Sequence, residues 1–159
     1  MNKIILLPEA KQKLEYYCSY QERCHDEVQT KLYQLGMTRA ESDEVIFHLL
    51  ENDYLNEERF ACAFARGKFR IKQWGKIRIT GELKMRHASA YVIKTALKEI
   101  KDEDYWETFE KLSEHHWDTI LETNMMKKRK KFCDFMIRKG WEQPMIYAKV
   151  KELENPEKD

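Results

Sequence analysis

The sequence predicts an all-α protein: three tandem three-helix repeats forming an extended, curved molecule. Three observations lead there. Gly 5 and Pro 3 are few among 159 residues, and strand-like alternation of β-branched residues is hard to find, which favours helices nearly throughout. Apolar residues recur at helical spacing in block after block. The blocks themselves repeat: Val28, Leu32 and Gly36 superpose on Ile79, Leu83 and His87, and these on Phe132, Met136 and Gly140, at offsets of 51 and 53 residues. Tyr54 and Tyr105 are again 51 apart. Similarity at such a period marks units that each touch mainly their neighbours.

In order, residues 1–18 supply an N-terminal arm and a first helix, 19–55 repeat 1, 56–101 repeat 2, 102–154 repeat 3, and 155–159 a polar tail. Ile4-Ile5-Leu6-Leu7 is apolar but stops at Pro8, far short of the ~20 residues a membrane span needs. Pro8 suits the first turn of a helix, and Glu9 to Cys18 places Leu14, Tyr17 and Cys18 on one face. Ser19 is positioned to cap a second helix from about Tyr20 to Leu35, with Val28, Leu32 and Leu35 inward, Arg23, Glu27 and Lys31 outward, and a left-handed stop at Gly36. Thr38 caps a third, whose apolar stripe is Val45, Ile46, Leu49 and Leu50, closed by Asn52-Asp53.

Asn56 then reads as an N-cap, with Glu57 and Glu58 where the helix dipole favours negative charge. On the helix that follows, Phe60, Phe64 and Ile71 share one face, and Arg59, Ala63, Arg66, Arg70 and Gln73 share another. A break is expected at Trp74-Gly75. Lys76 to Arg86 turns Ile79 and Leu83 inward, and Ser89 starts a helix bearing Val92, Ile93, Ala96, Leu97 and Ile100. Asp102 opens a helix with Trp106, Phe109 and Leu112 that runs to about Leu121; Met125 to Lys139 carries Phe132, Phe135 and Met136 and stops at Gly140; Ile146, Val150 and Leu153 make the last helix. Breaks are therefore expected near Gly36, Asn52, Gly75, residues 87–88, Lys101, residues 121–124 and Gly140. Trp74, Trp106, Trp117 and Trp141 are expected in the core or between repeats.

With the repeat in hand, the residues resemble the RecX family of bacterial recombination regulators. The likeness rests on Arg23 through Gly36, on Asp43-x-Val45-Ile46-x-x-Leu49, on Tyr54-Leu55-Asn56-Glu57-Glu58-Arg59-Phe60-Ala61, and on Gly75-x-x-x-Ile79-x-x-x-Leu83. It covers roughly Arg23 to Ile100, and the third repeat only by periodicity. Two departures stand out: Arg86-His87-Ala88 occupies the place where the family usually has a glycine after the second repeat's Leu-helix, and Gly81 interrupts that helix. The resemblance implies a protein that lodges in the deep groove of the RecA–DNA filament, contacting RecA and DNA within or beside it, and that restrains the recombinase's ATPase and strand exchange. The protein is further expected to be a cytoplasmic monomer working in DNA repair and the SOS response, without cofactor or membrane.

Composition bears on function independently. Lys+Arg 29 against Asp+Glu 28 nearly cancel, leaving a net charge of +1, so any electrostatic role needs local segregation of charge. The basic clusters are Arg59, Arg66 and Arg70 with Lys68 and Lys72 flanking, then Lys76, Arg78, Lys84 and Arg86, and later Lys127, Lys128, Arg129, Lys130 and Lys131. A groove lined with carboxylates and phosphates would attract such surfaces. A helical module acting directly on duplex DNA is the alternative, and near neutrality weighs against it. No catalytic motif is found, and no metal set. His115-His116 and Cys24-His25 are adjacent pairs whose side chains diverge by about 100° on a helix, unlike the i, i+4 pairs that share a metal. Cys18, Cys24, Cys62 and Cys133 are scattered without a CxxC pair, as expected of reduced thiols.

Overall fold

The computed structural model describes residues 5–156, so Ile4 of the apolar arm and the tail from Glu157 to Asp159 lie outside the described residues. Nine α-helices and no strands occur among the described residues: α1 Leu7–Tyr20, α2 His25–Gln34, α3 Arg39–Glu51, α4 Glu57–Lys72, α5 Lys76–Met85, α6 Ala90–Leu97, α7 Asp102–Thr119, α8 Met125–Lys139 and α9 Gln143–Glu154. Packing groups them in threes, α1–α3, α4–α6 and α7–α9. The segment ahead of the first repeat supplies α1, which lies chiefly against α3.

The repeat is visible in burial and in backbone. Val28, Leu32, Ile79, Leu83, Phe132 and Met136 are all completely buried. Each helix in that series ends in a left-handed residue, Gly36 (φ 80°), His87 (φ 65°) and Gly140 (φ 95°). His87 therefore takes the strained conformation at the repeat position that Gly36 and Gly140 fill with glycine, although a side chain makes it costlier.

Units 2 and 3 share a single apolar core, and unit 1 has its own, from Ile5 to Leu55. Cys24 is the residue of unit 1 that packs into the shared core. Among the described residues no hydrogen bond or ion pair links unit 1 to unit 3. The accessible surface, 10768 Å², exceeds the roughly 8,500 Å² of a compact monomer of 19.3 kDa. The units thus follow one another in an extended row.

Caps at Thr38, Asn56 and Ser89 form as expected: each side-chain oxygen accepts from a backbone N–H three residues on, of Glu41 (3.2 Å), Arg59 (2.8 Å) and Val92 (3.2 Å). Ser19 does not cap α2. It lies inside α1, where its hydroxyl donates to the Glu15 carbonyl (2.7 Å), and α2 starts at His25 behind Cys24, whose N–H donates to the Glu27 carboxylate (3.2 Å). Arg23 is not outward either; its guanidinium lies over the Tyr17 ring, 3.7 Å from the centroid. On α4 the buried residues are Phe60, Ala61, Ala65 and Phe69. That arc centres on the two alanines, so Ile71 falls at its margin in the last turn and is 79 % exposed. Leu50 and Trp106 are likewise turned partly to solvent, whereas Trp74, Trp117 and Trp141 are buried.

Candidate partner-binding surface

Two turns meet between units 2 and 3. After α4 the chain reverses through Gln73, which is left-handed (φ 57°), and Gly75 then caps α5; in unit 3, Gly140 makes the corresponding left-handed stop. The turns pack backbone to backbone. Gly75 N–H donates to the Lys139 carbonyl (2.9 Å), Ile77 N–H to the Gly140 carbonyl (3.0 Å), and the Trp141 indole to the Gln73 carbonyl (3.1 Å). A Cβ on Gly75 would sit 2.3 Å from the Gly140 oxygen, and one on Gly140 2.3 Å from the Arg78 Cβ, so close approach demands glycine on both sides. Beneath lies a run of rings: Phe69, Tyr105, Trp141 and Phe109 follow one another at centroid distances of 5.9, 4.5 and 5.4 Å. Such pairs contribute about 0.5–1.5 kcal/mol each beyond their buried area. The Tyr105 hydroxyl accepts from Lys76 N–H (2.8 Å) and donates to the Glu142 carboxylate; burial first, then that carboxylate, pushes its pKa up.

This seam gathers positive charge. Lys68 and Arg78 both cover Trp74, at 5.1 and 4.1 Å from its ring. Arg78 donates to the Arg138 carbonyl (3.2 Å), and Lys139 Nζ donates to the Lys72 carbonyl (2.8 Å). Burial, and then Arg78 and Lys72, hold the Lys139 pKa below its ordinary value. Among the described residues no carboxylate lies within ion-pair distance of Lys68, Lys72, Arg78 or Lys139.

Elsewhere the basic residues read from the sequence are mostly neutralised. Arg59 does not stand on an open stripe: its Nε donates to Glu22 (2.6 Å) and its Nη1 lies 3.1 Å from Asp53. Arg66 pairs with Glu99 (2.5 Å), Lys76 with Asp102 (3.8 Å) and Arg86 with Glu82 (2.8 Å). In the run at the start of α8, Arg129 binds Glu154 through two bonds (2.6 and 3.0 Å), Lys130 pairs with Asp134 and Lys131 with Glu122, and Lys128 lies over Trp117. Arg70, Lys84 and Lys127 are exposed and scattered, without an ion pair among the described residues. The seam thus unites Lys68, Lys72 and Arg78 from the sequence reading with Lys139, which that reading passed over. Its signal was the likeness of Lys72-Gln73-Trp74-Gly75 to Arg138-Lys139-Gly140-Trp141, two basic turns closed by glycine and tryptophan.

A family model for the second three-helix domain of RecX matches residues 56–97, which run from the Asn56 cap through α6. Proteins named Regulatory protein RecX align with almost the whole chain: that of Bacillus cytotoxicus is 27 % identical over 143 residues, covering 90 % of this chain and 53 % of the relative. The chain is similar to the RecX family along nine-tenths of its length. The RecX of Lactobacillus johnsonii is 33 % identical over 91 residues, 57 % of this chain and 34 % of its own. A crystal structure of RecX from Lactobacillus salivarius superposes with a TM-score of 0.77 at 22 % identity, covering 93 % of this chain and 96 % of that one, a likeness that establishes the RecX fold. The chain spans about half the length of the curated relatives it matches. Among the described residues no helix is long and apolar enough to cross a membrane, and no cluster of three or more metal-ligating side chains occurs.

Proposed function

We propose that this RecX-like chain is a regulator of homologous recombination and DNA repair that seats in the groove of the RecA–DNA filament and mainly inhibits RecA ATP hydrolysis and strand exchange. The seam of units 2 and 3 makes the contact. The observation that carries this reading is convergence: Arg59, Arg66, Lys76, Arg86, Arg129, Lys130 and Lys131 are spent on internal carboxylates and Arg70, Lys84 and Lys127 are scattered, whereas Lys68, Lys72, Arg78 and Lys139 come together without an acid. Like charges held together raise the energy of the unbound protein, and an acidic surface relieves it. The action needs no cofactor and no catalysis, and a monomer suffices.

The test is DNA-dependent ATP hydrolysis by the cognate recombinase with the wild type and with the triple variant Lys68→Gln, Lys72→Gln, Lys139→Gln. Suppression is expected to need roughly tenfold more of the variant, and binding to depend less steeply on salt, the logarithmic slope falling by up to about three. Full suppression by a folded triple variant sinks the reading. Equal affinity of the wild type for bare duplex DNA would favour direct action on DNA instead.

A further inference from the structure

Unit 1 carries a groove that the filament reading does not use. Tyr16 and Tyr20 are each 73 % exposed and stand one turn apart on α1, where Cβ atoms are about 5–6 Å from one another. With Tyr17 they line a groove of about 530 Å³ between α1 and α2. Its other charged walls are cationic: Lys13, Arg23 and Lys31. Arg23 and Lys31 lie over the Tyr17 ring, at 3.7 and 5.6 Å. No Asp or Glu lines the groove. Among the described residues, one carboxylate reaches these cations, Glu27, at 3.5 Å from Arg23, and none pairs with Lys13 or Lys31.

The juxtaposition is selective. Rings alone on a helix surface are ordinary, and lysines alone are a solvated face. Two aromatic faces one turn apart, with unneutralised ammonium groups beside them, offer stacking and charge at once. A duplex hides its base faces within the stack and presents only phosphate and groove edges, whereas a single strand exposes both complements. We infer that the groove between α1 and α2 binds single-stranded nucleic acid, with Tyr16 and Tyr20 stacking on successive bases while Lys13 and Lys31 neutralise phosphates. This contact stands apart from the seam of units 2 and 3.

The experiment is fluorescence anisotropy of a labelled oligothymidylate of about 15 nucleotides titrated with the full chain at low salt. Tyr16→Ala/Tyr20→Ala should bind about tenfold more weakly or worse, and Tyr16→Phe/Tyr20→Phe should stay within about twofold of wild type, because the ring is what stacks. Lys13→Gln/Lys31→Gln should flatten the salt dependence. The Lys68, Lys72, Lys139 triple variant should retain the tyrosine-dependent part, which separates this inference from the filament reading. Absence of wild-type binding overturns the proposal, as does an alanine variant that binds as tightly. So does a duplex of the same length competing equally well, since charge alone would then explain binding. If the alanine variant keeps the oligonucleotide but loses suppression of the recombinase, the groove is a protein contact and the proposal fails.

Discussion

The seam between units 1 and 2 is made of side chains, and the seam between units 2 and 3 is made of backbone. At the first, Arg59 reaches Glu22, Asp53 and the carbonyls of Asp53 and Tyr54 (2.9 and 3.3 Å), and His87 lies 3.5 Å from Asp26. Among the described residues no backbone hydrogen bond runs from α1–α3 to α4–α6. At the second, two backbone bonds and an indole bond hold two glycine turns together over a continuous core. A backbone contact has few alternative geometries, whereas long side chains can re-pair at modest cost. The fold therefore presents its cationic site on the stiffer seam and leaves unit 1 the freer body. If the chain seats in the filament groove as proposed, it would offer one rigid reader and one adjustable arm.

The largest effect should come from Gly140→Ala. Its φ of 95° disfavours any side chain, and the added Cβ would meet Arg78 Cβ at 2.3 Å and Arg78 N at 2.5 Å. A loss of about 3 kcal/mol or more is expected, from strain and from opening the seam. Amide hydrogen exchange should show protection falling together in units 2 and 3, with unit 1 largely spared. Equal loss in unit 1 would mean that the two cores behave as one cooperative body, and the comparison would collapse.

Arg59→Ala comes next. It removes the partner of Glu22, whose Oε2 is already buried without a hydrogen bond among the described residues. Leaving that carboxylate unpaired should cost about 1–3 kcal/mol, less than the glycine change because Arg59 and Asp53 are themselves partly exposed. The loss should be read in exchange from unit 1 and the start of α4, and the double variant Glu22→Gln/Arg59→Gln should recover part of it. A loss spread evenly over all three units would contradict a side-chain seam.

These contrasts were only partly legible in the sequence. Thr38, Asn56 and Ser89 announced their helices because capping is settled within three residues, by side chains suited to it. Ser19 misled because the same hydroxyl can satisfy itself within a helix, and Cys24 is an unusual cap. Ile71 and Trp106 show that periodicity assigns a face but not where the neighbouring helix ends. The repeat was legible before any family likeness, in the offsets of 51 and 53 residues that carry Val28, Leu32 and Gly36 onto Ile79, Leu83 and His87 and then onto Phe132, Met136 and Gly140, and glycines and polar caps marked the helix breaks. Charge was the least legible: Arg59 finds its acid 37 residues away and Arg129 finds one 25 residues away, so a dense run such as Lys127 to Lys131 looked free when most of it is paired. Lys139 drew no notice as a single residue and gained meaning only when two turns met.

The smallest expected effect is also the sharpest control. Gly81 lies inside α5, the helix that Gly75 caps, and a Cβ there would meet nothing within 4 Å. Its backbone freedom is spent in the unfolded chain without return, so Gly81→Ala should stabilise by about 0.5–1 kcal/mol and raise Tm by about 1–4 °C. Gly75→Ala, six positions earlier in the sequence, should destabilise, because its Cβ would strike the Gly140 carbonyl at 2.3 Å. The two substitutions are chemically identical and belong to the same helix, one at its N-cap and one in its interior. Opposite signs in paired thermal melts would place the cost in the close approach of the two turns. If both destabilised alike, the penalty would belong to α5 itself, and the backbone seam would lose its claim to be the stiffer of the two.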